Sequence, residues 1–229
     1  MDFYGTLCFH NSKENNKLQT LFGTPFQKCL EGTLMTITED MLDGVSSIRP
    51  YAFFKCNSLE NVEIPSSVQN IGNYAFYSCT GLENVTIPPG LININNYAFS
   101  YCSSLENIEL PTSLTYLGIH AFSNTALVNL EIPQGLEKIG ISAFQFCQNL
   151  KKVVIADSVT QIGDSAFSMC LALESMTIYA TTPPIVNYVA FSGTPRTLKI
   201  YVPSGSVDAY KIANGWRTLA SQIEAIPNN

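Results

Sequence analysis

The stretch from Ala75 to Tyr97 reads AFYSCTGLENVTIPPGLININNY, and variants of it recur along most of the 229-residue chain. Each copy is anchored on an Ala-Phe pair, and successive pairs lie 22 to 24 residues apart. The pairs begin at Ala52, Ala75, Ala98, Ala121, Ala143, Ala166 and Ala190. A period of this length is typical of solenoids, whose repeats bury their apolar side chains only against their neighbours. The repeat therefore directs the search for function to a long repeated surface.

Each repeat contains one segment in which apolar and polar residues alternate, as they do in a half-buried strand. In Leu82–Pro88, Val85 and Ile87 alternate with polar residues, and the proline ends the strand because it has no N–H for the ladder. In the repeat before it, Gly72 follows the strand and its proline, and a glycine at this position predicts a bend or a close backbone approach. We therefore predict a repeat solenoid that is mainly β. It is expected to be a right-handed parallel-strand array with short helical or 3-10 turns on its convex side.

The extent of the repeat predicts three parts. Residues 34–205 form the solenoid, residues 1–33 show no clear repeat and form an N-terminal cap, and residues 206–229 form a C-terminal helical cap. Caps are expected because an open solenoid exposes apolar core and a strand edge. In the last part we expect Ser206 to be a helix N-cap and Asn214-Gly215 to stop the helix. Trp216, the only tryptophan, is expected to plug the last repeat.

Five of the seven cysteines lie three residues after an anchor phenylalanine, and in the fourth repeat, which is one residue shorter, Asn124-Thr125 stands there instead. Disulfide frameworks and zinc sites need cysteines that converge in space, whereas these contribute one thiol per repeat. We therefore predict a ladder of buried, reduced thiols that act as small hydrophobes, with no metal and no cofactor. The laddered cysteines are Cys56, Cys79, Cys102, Cys147 and Cys170.

Composition narrows the classes of partner. The formal net charge is −6, so there are too few cations to neutralise a nucleic-acid backbone. No run approaches the roughly 18 apolar residues of a membrane span. The start, MDFYGTLCFHNSKENNK, lacks the basic and apolar regions of a signal peptide. This predicts either a cytoplasmic protein or one whose export signal has been removed.

The full pattern, C-x-x-L-x-x-V/I-x-I/L-P-x-x-V/L-x-x-I-G-x-x-A-F, resembles the BspA-like type of bacterial leucine-rich repeat. The resemblance runs from about Leu34 to Pro203, with Ala156 and Tyr179 in place of proline and Asn95 in place of glycine. It implies an extracellular or cell-surface location. It also implies a non-enzymatic recognition function of the adhesin type, with a protein or glycan partner.

Outward strand positions form columns over the first four repeats. A stripe of asparagines is flanked by carboxylates, and by the fifth repeat the same columns hold Lys152 and Val154. The asparagines can bond one repeat to the next, or contact a ligand, or do both. Because the columns change character at the fifth repeat, we predict a bounded binding face. Its residues are Asn61, Glu63, Asn84, Asn107, Glu109, Asn129 and Glu131.

A second candidate surface is the aromatic column of Tyr51, Tyr74 and Tyr97, which precede the Ala-Phe anchors, with His120 next in line. Two interpretations stay open. Either the rings stack on one another and cover the turn, or they form a binding stripe for protein or glycan.

Catalysis is the least favoured hypothesis. Glu109 and Glu131 lie on adjacent repeats, so their carboxyl groups could approach the roughly 5 Å separation of a retaining glycosidase pair. No pattern predicts a water-excluding pocket, and the chain has no Gly-rich phosphate loop, Gly-x-Ser-x-Gly elbow or His-Glu-x-x-His motif. We therefore expect a recognition module first and a spacer array within a surface or virion assembly second. A glycan-active enzyme comes last.

Overall fold

Two ladders of short parallel strands run along the protein. The computed structural model describes Cys29 and residues 32–227. The predicted cap at residues 1–33, with Cys8 and His10, lies almost entirely outside the described residues. The repeat solenoid predicted from the sequence is confirmed, because every described strand pair is parallel and joins neighbouring repeats. The boundaries at 33/34 and 205/206 remain predictions.

The first ladder carries the predicted strand face and consists of two sheets. Strands are numbered along the chain. The three-stranded sheet holds β1 (Thr36–Ile37), β3 (Asn61–Glu63) and β5 (Asn84–Thr86). The five-stranded sheet holds β8 (Asn129–Ile132), β10 (Lys152–Ile155), β12 (Ser175–Ile178), β14 (Lys199–Val202) and β15 (Ile223–Ala225).

The second ladder follows each proline turn and is also divided in two. Its four-stranded sheet holds β2 (Ser47–Ile48), β4 (Asn70–Ile71), β6 (Asn93–Ile94) and β7 (Tyr116–Leu117). Its three-stranded sheet holds β9 (Lys138–Ile139), β11 (Gln161–Ile162) and β13 (Ile185–Val186). Both ladders are therefore interrupted in the region where the third repeat meets the fourth.

The core between the ladders is filled by the anchor phenylalanines, as predicted. Adjacent rings from Phe53 to Phe191 are stacked with centroids 5.1–6.0 Å apart. Every laddered ring is buried. Removing one such side chain from water contributes about 1.5–3 kcal/mol, so the column is a major source of stability.

The Ala-Phe turns form a third hydrogen-bonded side. In the first anchored repeat, the N–H groups of Tyr51, Phe53 and Lys55 donate to carbonyl oxygens of the next repeat at 3.0, 2.7 and 2.8 Å. Residues equivalent to Tyr51 and Lys55 have positive φ values between 53° and 63°. This left-handed backbone prevents the predicted helical turn in most repeats, since a helix needs negative φ throughout. Only the last anchor is a 3-10 helix, at Tyr188–Phe191.

Gly72 and its equivalents confirm the predicted close approach. A Cβ atom on Gly72 would lie 2.5 Å from the backbone nitrogen of Pro50, and one on Gly140 would lie 2.4 Å from the carbonyl oxygen of Gly118. No side chain fits at these distances, so glycine lets successive repeats stack closely.

The thiol ladder is correct for four cysteines and wrong for one. Cys79, Cys102, Cys147 and Cys170 are free and buried, but Cys56 forms a disulfide with Cys29. Each free thiol donates to the carbonyl oxygen of an anchor phenylalanine in the preceding repeat, as Cys79 does to Phe53 at 3.0 Å. The sulfur of Cys56 is bonded to that of Cys29, so it has no thiol hydrogen to donate as the four free cysteines do.

The C-terminal end is closed by short helices and a last strand. They are the α-helix α1 (Val207–Ile212) and 3-10 helices at Ser204–Ser206 and Arg217–Gln222; a further 3-10 helix lies near the start at Glu39–Leu42. Trp216 is fully buried against Phe191, and its indole N–H donates to the Pro184 carbonyl at 2.8 Å. The predicted plug is confirmed.

The predicted capping chemistry is only partly right. Ser206 precedes α1 but its side chain makes no capping hydrogen bond, because the backbone runs into the helix from a 3-10 turn. The helix ends at Ile212, and Gly215 follows with a φ of 83°. Glycine fits this position because a left-handed residue with a side chain would be strained.

Candidate binding site

The interruption of the first ladder lies at residues 105–111, whose sequence LENIELP matches the paired strands of other repeats. The amides of residues 106–110 donate to no backbone oxygen among the described residues. One bond links this segment to the next repeat, from the Val128 N–H to the Glu106 carbonyl at 3.0 Å. In a regular repeat two amides make this link, as Glu83 and Asn84 do to Glu60.

The shortened fourth repeat explains the lost bond on the downstream side. Regular repeats enter the strand through a turn in which the leucine N–H donates to the cysteine carbonyl, as from Leu105 to Cys102 at 3.1 Å. The fourth repeat lacks one residue here, and the Thr125 hydroxyl donates back to the Phe122 carbonyl at 2.9 Å instead. The strand entrance is therefore built differently, while the bond from the Phe99 N–H to the Ala121 carbonyl still joins the turns of the third and fourth repeats at 2.8 Å.

A groove of about 1020 Å³ opens on the strand face at this interruption. Its lining residues extend from the unpaired segment across β8 and β10 to the residue after β12. The lining includes the polar or aromatic side chains of Asn107, Glu109, Asn129, Glu131, Lys152 and Tyr179. Four of the seven residues predicted for the strand face therefore lie in one groove.

The other three predicted residues lie on β3 and β5, outside the lining of the groove. The amide of Asn84 donates to the side-chain oxygen of Asn61 at 2.9 Å, and Glu63 is exposed opposite Thr86. The amide ladder is thus present where the sheet is continuous. Asn107 and Asn129 have no side-chain hydrogen bond among the described residues, so their amides are available to a ligand.

The charged groups of the groove are also available. Glu109, Glu131 and Lys152 are exposed, and none makes an ion pair within the described part of the chain, where the one salt bridge joins Lys199 to Glu224. Lys152 lies opposite Asn129 in the sheet register, and Val154 lies opposite Glu131. The two carboxylates and one ammonium leave the groove weakly acidic.

This setting does not match that of a glycosidase pair. A general acid that works near neutral pH is a carboxyl group in an apolar, water-poor environment. Glu109 and Glu131 are both exposed in an open groove, which suits hydrogen bonding to a ligand better than proton transfer. The described residues also contain no cluster of three or more His, Cys, Asp and Glu side chains that could hold a metal.

The tyrosine column stacks on itself. Ring centroids are 5.0 Å apart for Tyr51 and Tyr74, 4.7 Å for Tyr74 and Tyr97, and 4.8 Å for Tyr97 and His120. Burial raises the pKa of Tyr74, with smaller contributions from neighbouring tyrosines, and burial lowers the pKa of His120. Most ring faces are covered by other rings, which supports the stabilising interpretation. A binding role for this column remains a prediction.

Sequence reasoning missed two features of the groove. Tyr179 was noted only as a replacement for proline, yet it is 50% exposed and lines the groove. The missing residue before Leu127 was visible in the repeat spacing and was the signal that could have located the interruption. A smaller groove of about 550 Å³ lies on the second ladder, between β7 and β9, with Tyr116, Ile119 and Ile141 in its lining.

The solved structures that resemble this chain include three bacterial proteins. A leucine-rich repeat protein from Bacteroides ovatus ATCC 8483 is 31% identical with a TM-score of 0.59, and the match covers 69% of this chain and 43% of that one. The T. pallidum leucine rich repeat protein is 27% identical with a TM-score of 0.60, covering 82% and 84%. The pneumococcal vaccine antigen PcpA is 23% identical with a TM-score of 0.57, covering 71% and 39%, and shares the fold.

The chain therefore spans less than half of the Bacteroides ovatus protein and most of the T. pallidum one. No curated protein matches the chain at a significant level. Among the described residues, no helix has the length and apolar character to cross a membrane. The BspA type leucine rich repeat region matches residues 23–151 and 119–212 with six copies. With its parallel ladders, phenylalanine column and glycine turns, the chain belongs to the BspA type leucine rich repeat family.

Proposed function

We propose that this protein is a non-enzymatic recognition module that binds a macromolecular partner in the groove at residues 105–111 and β8. The observation that carries the proposal is the change in the asparagine stripe. Asn61 and Asn84 are bonded to each other, whereas Asn107 and Asn129 are free in the groove. A spacer array would gain nothing from repeats that leave their amides unpaired.

The scaffold suits recognition because it is preformed. β8 is paired with β10, and the turns on the third side are hydrogen-bonded across the interruption. Binding therefore orders few backbone groups, and more of the contact energy appears as affinity. A groove confined to a few repeats is also what a recognition surface requires, whereas a spacer would have uniform repeats.

We further propose a cell-surface or secreted location and an adhesin-type role. The Cys29–Cys56 disulfide supports the location, since structural disulfides persist in oxidising compartments. The four remaining thiols are buried, and burial raises the pKa of Cys79 to about 12 and that of Cys147 to about 11. They stay protonated and unreactive where the disulfide forms.

The test is binding to immobilised matrix proteins, bacterial cells and glycans, with two matched double variants. Asn107→Ala with Asn129→Ala removes the free amides, and Asn61→Ala with Asn84→Ala removes the bonded ones. We expect the first to weaken binding of any captured partner at least about tenfold and the second to leave it within about twofold. Equal binding by both variants, or no partner at all, would refute the groove as a recognition site.

A further inference from the structure

We propose that the ligand of this groove is a polyhydroxylated chain, a segment of a glycan. The inference rests on the proposed function and specifies the chemistry of the partner. It comes from the kinds of hydrogen-bonding group that the groove leaves free, from their charge, and from one exposed ring.

The free groups include donors and acceptors in close alternation. Each of the amides of Asn107 and Asn129 offers two N–H donors and one oxygen acceptor, the carboxylates of Glu109 and Glu131 accept, and the ammonium of Lys152 donates. The backbone amides of residues 106–110 also lack backbone acceptors among the described residues. A hydroxyl group both donates and accepts, so a chain of hydroxyls can satisfy this whole set.

A cationic peptide would satisfy the set less well. Its ammonium and guanidinium groups only donate, so they suit the carboxylates but oppose the donors of the amides and of Lys152. Lys152 lies on the strand next to Glu131, two register pairs away and on the same face, and repels a second cation there.

Tyr179 supplies the apolar surface that a sugar ring requires. Its side chain is 50% exposed and makes no ring contact within the described part of the chain, unlike the stacked column of Tyr74. Its backbone is fixed, since its N–H donates to the Ile155 carbonyl at 3.0 Å. A half-exposed aromatic ring with a polar end is suited to packing against the C–H groups of a pyranose.

The experiment applies the full chain to an array of immobilised neutral, amino and acidic oligosaccharides, followed by calorimetric titration of the strongest hit. We expect a neutral or amino oligosaccharide to bind. Tyr179→Ala should weaken it at least about tenfold, whereas Tyr116→Ala, at a tyrosine of similar exposure on the other ladder, should leave it within about twofold. Hexa-arginine should not compete for the groove.

Three results would overturn the inference. They are an array with no bound oligosaccharide, binding that survives both Tyr179→Ala and the Asn107/Asn129 double variant, and competition by hexa-arginine stronger than by the sugar. A protein partner that is lost in the Asn107/Asn129 variant, combined with a silent array, would retain the proposed function and reject the glycan. Because each variant lies at an exposed site, melting temperatures within about 2 °C of wild type are the control for folding.

Discussion

Replacing Phe99 by alanine tests whether the phenylalanine column holds the solenoid together. Phe99 is fully buried, and its ring lies 5.1 Å from that of Phe76 and 5.2 Å from that of Phe122. Truncating a buried phenylalanine costs about 3–5 kcal/mol. Stacking adds about 0.5–1.5 kcal/mol for each of the two ring pairs, so we expect a loss in the upper half of that range.

Urea unfolding followed by far-UV circular dichroism and by Trp216 fluorescence measures this loss. The two probes are both needed, because Trp216 reports on the C-terminal end and solenoids can unfold in parts. Phe99→Leu is the matched control, since it keeps most of the apolar volume and loses mainly the stacking of the two ring pairs, at a cost of about 1–3 kcal/mol. An alanine variant within about 0.5 kcal/mol of wild type would show that the column is not the core.

Three further predictions concern the sulfurs and the turns. Raising the pH from about 8 to about 11 should lower the melting temperature, because an unfolded thiol ionises near 9.0 while buried Cys79 keeps its proton to about pH 12. The Cys79→Ser variant should show a smaller decline. A melting temperature that does not change with pH would contradict this prediction. Dithiothreitol, which reduces the disulfide, should destabilise the wild type by about 3.5 kcal/mol, because that is the loop entropy for a separation of 27 residues. It should not affect the Cys29→Ser variant. An equal response by both proteins would exclude the disulfide. Ser165 has a φ of 57°, so Ser165→Gly should raise the stability by up to about 1 kcal/mol in thermal melts. Ser165→Val should lower the stability by more than that, because a β-branched residue is strained in this backbone conformation. The opposite order would argue against the left-handed turn.

The periodic part of the structure was predictable because its causes are local or repeat regularly. The positions of Phe99, Cys102 and Gly118 follow from the period alone, and the structure places all three as expected. The Cys29–Cys56 bond was not predictable in this way, since no Ala-Phe pair precedes Cys29 and the period therefore did not place it beside Cys56.

The groove shows a second reason why part of the structure could not be predicted from the sequence. The sequence LENIELP at residues 105–111 differs little from LENVEIP at residues 59–65, yet only the second forms a paired strand. Strand formation depends on whether the neighbouring repeat offers partners in register, and the missing residue before Leu127 removes part of that register. The outward column of Asn107 and Glu109 was predictable, but their freedom from the amide ladder was not.

The interruption also affects how the protein unfolds. In a linear array, cooperativity passes only through the contacts between adjacent repeats. Where the third repeat meets the fourth, both strand ladders are broken. Coupling there depends on the stacking of Phe99 on Phe122, the turn bonds and the single bond from the Val128 N–H to the Glu106 carbonyl. Native-state hydrogen exchange should therefore resolve two foldons, one up to β7 and one from β8 onward, and the binding groove lies at the boundary between them. A ligand that bridges the boundary would merge the two foldons into one cooperative unit.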